Sequence, residues 1–243
     1  MNLIDINRQK DIKELIYLVI KFQIKGTLRF ISHSQMLSVF QRALVRAGIE
    51  PQYSQGFNPR PKISLPLPRP VGVESDDELL VMSISLAQVS IYDSYKDSVG
   101  NSENCLKSQF LQNLSAQLPR GCELKSVDMV REKPSFQPCY ATYIFTIRQE
   151  EMTENLQNRI NSLLTSKSLI VERSIDIKSV SKKIDVRGFL ISIITEHNSI
   201  IVRCKISAAG SIRIQEVMNL LGLDMAKLAS PIKRTDVQWQ EDK

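Results

Sequence analysis

The sequence is short of the residues from which proteins build metal and cluster sites. Its 243 residues include only four cysteines and two histidines. The cysteines, Cys105, Cys122, Cys139 and Cys204, lie far apart, and no two are spaced as C-x-x-C. Because such sites normally take at least two ligands from one local segment, we expect no metal site made by this chain alone. Buried free thiols in a reducing compartment are the favoured interpretation.

Signals for membrane insertion, export and nucleotide binding are also missing. No apolar run approaches the roughly 20 residues that cross a bilayer, and the N-terminal residues mix both charges, unlike a secretory signal. Neither G-x-x-x-x-G-K-[ST] nor G-x-G-x-x-G occurs. The sequence therefore predicts a cytoplasmic protein without a membrane partner. Its length allows one large domain or two of roughly 100–120 residues.

Acidic residues are almost absent from residues 17–73. This segment contains eight Lys or Arg residues and a single acidic residue, Glu50. A local excess of positive charge attracts phosphate-bearing ligands and speeds their encounter. The segment therefore predicts an anionic partner, and the alternative is a solvated surface with the usual scatter of charge.

Hydrophobic periodicity predicts one order of elements that occurs twice. In the first half, an alternating strand at Leu18–Ile24 precedes an amphipathic helix at Ser34–Ala47, followed by two strands, a helix and a strand. This order is the ferredoxin-like βαββαβ arrangement. Two prolines mark residues 133–138 as a linker. We therefore predict an α+β fold of two tandem ferredoxin-like halves with antiparallel sheets, residues 1–132 and 139–243, with one extra extended segment in the second half.

The most distinctive loop reads SQGFNP, from Ser54 to Pro59, and lies within the basic segment. Gly56 permits a turn that a side chain would block, and an aromatic ring at Phe57 can stack on a base. Aromatic, amide and basic groups on a rigid loop are what proteins use to bind single-stranded nucleic acid. The alternative is that Phe57 fills the core beneath the loop while Asn58 caps the turn. The candidate binding residues of the first half are Arg29, His33, Arg42, Arg46, Tyr53, Gln55, Phe57, Asn58, Arg60 and Lys62.

The second half offers four further charged candidates: Lys183, Asp185, Arg187 and Arg234. The first three surround a predicted strand start, where the alternative is that Asp185 and Arg187 pair with each other. Arg234 is expected to reach the same surface from the other end of the sheet.

Catalytic constellations are not evident, because spacing alone assembles no nucleophile, base and orienting group. His33 is a secondary candidate for a general acid or base, and the alternative is a helix-start histidine bonded to backbone. The carboxylates of Asp76, Asp77 and Glu78 are predicted to lie in a solvated acidic turn. We expect no catalytic residue and no metal in this chain.

The run from Leu28 to Glu78 resembles the radical SAM-associated (radical SAM-linked) protein family, a bacterial domain of unknown function of the DUF2344 type. Lys182–Leu190 (KKIDVRGFL) and Ser211–Gly222 (SIRIQEVMNLLG) resemble the same family. The family usually shows Ser-His-Leu-Asp where this chain has Ser-His-Ser-Gln, so an acidic residue beside His33 is lost. The resemblance implies a radical SAM protein in trans, often with a cobalamin-binding domain. Since this chain has no C-x-x-x-C-x-x-C loop, the iron–sulfur cluster and S-adenosylmethionine are expected in that partner.

Three functions are compatible with these patterns. The preferred hypothesis is a non-catalytic companion that binds an anionic substrate, RNA or a ribosome-linked ribonucleoprotein, for the radical SAM enzyme. One alternative is an RNA-processing or RNA-modifying enzyme with ferredoxin-like domains, although a fold by itself does not establish an activity. The other alternative is a protein–protein adaptor whose basic face meets an acidic partner.

Overall fold

A computed structural model describes residues 15–85, 102–174 and 181–241, with the side chains of residues 102–105 and 241 outside this description. The chain is a mixed α+β protein with a large, mostly antiparallel sheet, and the described residues contain four α-helices. Contacts between residues divide the chain into two compact units, described in turn below.

Among the described residues, the first unit comprises 15–23, 33–66, 79–85 and 102–135. Its strands lie in the order β4-β1-β3-β2. The elements are β1 (Leu15–Ile24), α1 (His33–Arg46), β2 (Ile63–Ser64), most of β3 (Glu74–Ser85), α2 (Ser102–Ser115) and β4 (Cys122–Val130).

Alternation and helical spacing place the core of this unit as the sequence predicts. Leu18, Ile20 and Phe22 point to the buried side of β1, and Phe40 of α1 meets the Phe22 ring edge to face at 4.8 Å. Helix α1 ends before Gly48, whose positive φ of 71° is a conformation that glycine adopts without strain.

The described part of the second unit comprises residues 24–32, 67–78, 136–174 and 181–241. Its main strands lie in the order β8-β9-β5-β11; β10 also pairs with β9, and β6 and β7 form a separate hairpin. The elements are β5 (Phe136–Thr146), α3 (Glu154–Thr165), β6 (Ile170–Ser174), β7 (Ser181–Asp185), β8 (Leu190–Glu196), β9 (Ser199–Ser207), β10 (Gly210–Ser211), α4 (Ile214–Leu221) and β11 (Lys233–Glu241). Strand β5 begins at Phe136, so it overlaps the predicted linker 133–138.

The core of the second unit lies between the sheet and its helices. Ala141 and Phe145 of β5 are buried with Val202 of β9 and with Val217 and Leu221 of α4. Each strand contributes every second residue, as expected for a sheet with one covered face. Burial of these side chains against α3 and α4 is the main stabilising interaction of the unit.

The acidic run Asp76–Glu78 lies in strand β3, so the prediction of a solvated turn is wrong. Glu78 is buried and receives a 2.6 Å hydrogen bond from Arg234 Nη2, while Asp77 accepts the backbone N–H of Val237 at 2.9 Å. Both partners belong to β11, more than 150 residues further along the chain. The carboxylates can occupy a strand because a distant element of the second unit satisfies them.

Candidate nucleic-acid interface

The SQGFNP loop of the first unit is closed at its base by backbone hydrogen bonds. Lys62 N donates to Gln52 O at 2.6 Å, and Ser54 N donates to Arg60 O at 2.8 Å. The base is attached to β3, since Gln52 N donates to the carbonyl of Ser83 at 2.7 Å. These bonds hold the two ends of the loop together as a short hairpin. The tip of the loop therefore projects from a base that is attached to strand β3.

The tip of this loop, from Gln55 to Pro59, is exposed along its whole length. Gly56 has φ of 132°, a conformation that side chains rarely tolerate, and it turns the backbone just before Phe57. The Phe57 ring is fully exposed, with a relative accessibility of 104%. The alternative in which Phe57 fills the core is therefore wrong. Tyr53, at the base of the loop, is half exposed.

Exposed basic side chains lie on this loop and on the neighbouring helix of the first unit. Arg60 and Lys62 are exposed on its second arm, and Arg42 is exposed on α1, which packs against β2. None of these three cations makes an ion pair within residues 15–85, 102–174 and 181–241. Arg46 differs, because its Nη2 donates to the carbonyl of Gln117 at 2.7 Å. That bond anchors the segment after α2, so Arg46 has a structural role.

The structure divides the remaining first-half candidates between the two units. His33 is the first residue of α1 and is half-buried in the first unit. Gln55 and Asn58 are exposed at the loop tip. Arg29 belongs to the second unit, where its guanidinium donates to Gly26 O at 2.8 Å and lies over the ring of Phe30.

Two of the second-half candidates, Asp185 and Arg187, are bound to backbone groups. Arg187 donates to the carbonyls of Leu164, Ser166 and Leu190, at 2.8–2.9 Å. The Asp185 carboxylate accepts the backbone N–H groups of Arg187 and Leu169, and these bonds lower its pKa. The expected pairing of Asp185 and Arg187 is thus made through backbone.

Lys183 and Arg234 represent opposite extremes of exposure. Lys183 lies on the exposed hairpin of β6 and β7, 4.0 Å from Glu172. Arg234 is buried, with 1% of its side chain accessible, in contrast to the surface position that the sequence predicts. Burial alone would lower the pKa of Arg234, but Glu78 and Tyr143 raise it above its ordinary value. Its charge is balanced inside the protein.

Arg69 is a structural residue that the sequence analysis did not identify. Its guanidinium makes five hydrogen bonds to carbonyls, those of Leu28, Arg29, Ile31, Pro70 and Val73. Burial lowers its pKa. The flanking prolines of PRPVG are the one sequence signal for such a site, because a proline-rich segment leaves many carbonyls without backbone partners.

The fold and the loop define a mixed α+β protein with a short hairpin that presents an exposed aromatic side chain and cations that make no ion pair within the described residues. The chain belongs to the family described as uncharacterized protein conserved in bacteria (DUF2344), whose model matches residues 17–216. No curated protein matches the chain. Within the described residues, no helix is long and apolar enough to span a membrane, and no three His, Cys, Asp or Glu side chains gather as metal ligands would.

Proposed function

We propose that the first unit binds single-stranded RNA through the SQGFNP loop and presents it to an enzyme acting in trans. The full exposure of Phe57 is the observation that carries this proposal. A ring that stays in solvent contributes no buried area to the core, so its whole surface is available to a ligand. Single-stranded RNA offers unstacked bases, and each base can stack on such a ring.

The charges beside the ring support an anionic ligand. Arg42, Arg60 and Lys62 carry no ion pair among the described residues and lie on the loop or on the helix that packs against β2. Guanidinium and ammonium groups neutralise phosphate and release its counterions. The exposed amides of Gln55 and Asn58 add donors and acceptors that can read base edges.

The wider setting of the proposal comes from the sequence resemblance. The motifs from Leu28 to Glu78 support a companion of a radical SAM protein, which would hold the iron–sulfur cluster and S-adenosylmethionine.

We further propose that both units are ferredoxin-like. The strand orders β4-β1-β3-β2 and β8-β9-β5-β11 support this, with β6 and β7 as an inserted hairpin.

Titration of a fluorescent single-stranded oligouridine with the full chain tests the RNA-binding step. Phe57→Ala is expected to weaken binding by roughly 5- to 150-fold, which corresponds to about 1–3 kcal/mol for one stacked base. Phe57→Leu should lose a similar amount, since it keeps an apolar side chain but removes the ring. Ile170→Ala, at an exposed position of the second unit, is the matched control and should bind as the wild type does.

Two results would contradict the proposal. One is binding by Phe57→Ala within twofold of the wild type, and the other is an affinity that does not change between 50 and 300 mM salt, roughly the range in which phosphate contacts weaken. Cleavage or modification of the RNA that disappears in His33→Ala would instead identify the chain as an enzyme. A protein partner that co-purifies after nuclease treatment, without any RNA affinity, would identify an adaptor.

A further inference from the structure

The second unit contains a partly open cavity of about 430 Å³. One wall is the face of β5 and β9 that carries Ala141, Tyr143 and Cys204. The second wall is the start of α4, and the third is the segment 67–73. All residues that line this cavity belong to the second unit, so it is distinct from the SQGFNP loop and does not depend on RNA binding.

The size and lining of the cavity differ from those of a packing defect. Protein interiors leave few voids larger than a water molecule, whereas ligand pockets typically measure roughly 300–1,000 Å³. The inner surface is apolar, with Ile212 and Met218 buried in it. At its rim, Val71 and Met225 are exposed by 61% and 64%, so apolar side chains line the entrance as well.

The wall formed by residues 67–73 is held in place by Arg69. The guanidinium of Arg69 bonds to carbonyls within this segment, at Pro70 and Val73, and to three carbonyls between Leu28 and Ile31. A cavity bordered by an unsupported loop would be expected to collapse, because closing it buries apolar surface. Arg69 opposes this collapse and keeps the cavity open before any ligand arrives.

The polar groups of the lining indicate the charge of the ligand. Among the described lining residues, Arg213 carries the one formal charge, and it is exposed at the mouth. Tyr143 lies on the inner wall, where burial raises the pKa of its hydroxyl and the side chain of Arg234 hydrogen-bonds to it. An apolar inner surface with a cation at the mouth fits a molecule with an apolar body and an anionic end.

We infer that this cavity binds a small organic anion whose apolar body, an aromatic ring system or a medium-length acyl chain, enters between α4 and the sheet. The carboxylate or sulfonate of the ligand contacts Arg213 at the mouth. The ligand is a free small molecule, and a protein side chain in the cavity is the alternative that the experiment excludes.

Fluorescence titration of the full chain with 1-anilinonaphthalene-8-sulfonate tests this inference, with the neutral probe N-phenyl-1-naphthylamine in parallel. Saturable binding of one sulfonate per chain is expected, together with a rise in the thermal unfolding midpoint. Arg213→Gln should weaken binding of the sulfonate roughly three- to tenfold and leave the neutral probe within twofold. Lys182→Gln removes an exposed charge from the hairpin of β7 and should change neither affinity.

Filling the cavity supplies the second arm of the experiment. Ile206→Trp places a larger side chain on the half-buried part of the β9 wall, and Met225→Trp narrows the exposed rim without altering the core. Both variants should lose at least tenfold in affinity for both probes, whereas Ile194→Trp, at a similarly exposed position outside the lining, should not. The inference is overturned if neither probe saturates, if Met225→Trp binds as the wild type does, or if Arg213→Gln and Lys182→Gln have equal effects. Selective occupation by an apolar peptide while both probes fail to bind would likewise overturn it.

Discussion

The buried ion pair of Arg234 and Glu78 leads to the strongest stability prediction. The two side chains are 1% and 6% accessible, and their atoms Nη2 and Oε1 are 2.6 Å apart. In Glu78→Gln the carboxylate becomes a neutral amide of nearly the same shape, while the guanidinium stays in the interior. Because arginine does not lose its proton in proteins, the variant cannot escape the cost by neutralising the remaining group.

The magnitude follows from the burial of both partners. Removing one partner of a buried pair costs about 3–5 kcal/mol, which is a large share of the 5–15 kcal/mol that stabilises a typical domain. Urea unfolding measures it, and Trp239 of β11 is a suitable probe because it is the one tryptophan of the chain. With a urea dependence of roughly 2 kcal/mol per molar, the midpoint should fall by about 1.5–2.5 M.

Two further variants separate burial from mere loss of charge. Glu172→Gln removes an exposed carboxylate that lies 4.0 Å from Lys183 and should cost less than about 1 kcal/mol. The double variant Glu78→Leu with Arg234→Met replaces the pair by apolar side chains and should recover at least half of the loss. The argument would be refuted if the urea midpoint of Glu78→Gln fell no further than the midpoint of Glu172→Gln.

Three other features of the second unit lead to shorter predictions. Thr153 caps α3 through its side-chain oxygen, so Thr153→Ala should lower the free energy of unfolding by about 1 kcal/mol, as measured in urea. Burial raises the pKa of Cys204 to about 12, so iodoacetamide at pH 8.5 should label Cys204 more slowly than the half-buried Cys139 in peptide mass spectra; equal rates would contradict this. Hydrogen bonds from the backbone of Arg187 and other groups lower the pKa of Asp185, so its stabilisation is present above about pH 4 and decreases as the pH falls through the folded-state value. Urea unfolding at pH 7 and pH 3 should therefore show a difference between wild type and Asp185→Asn that shrinks at the lower pH.

Local periodicity was sufficient to predict several elements of both units. Strand β1 and helix α1 were predicted because an element with one covered face repeats apolar residues every two or every three to four positions. Helix α3 extends over Glu154–Thr165, where the buried Leu156, Ile160 and Leu163 recur at helical spacing. These elements depend on neighbouring residues alone, so the sequence carries the information directly.

Interactions between distant residues were not predictable in this way. Three consecutive carboxylates are typical of an exposed turn. The residues next to Glu78 in the chain do not indicate that Arg234, a distant residue, will neutralise its charge. The sequence also predicts a short helical segment at residues 1–16 and a surface loop at residues 89–104, and both fall almost wholly outside the described residues. For Phe57 the sequence allowed a buried ring or an exposed ring, because the composition of a loop does not determine which way its tip faces. The structure shows that the ring is exposed.

The hydrogen bonds that some arginines of the basic segment make change the salt dependence that we expect for RNA binding. Eight cations occur between residues 17 and 73, but Arg29, Arg46 and Arg69 donate to backbone carbonyls. If phosphate contacts come from Arg42, Arg60 and Lys62, the plot of log affinity against log salt should have a slope of about −2, since each single-strand phosphate contact contributes roughly −0.7. Eight contacts would give about −5.6. A slope of about −5.6 would show that these three cations are not the main phosphate contacts. Arg60→Gln provides the direct check, because loss of one contact should reduce the magnitude of the slope by about 0.7.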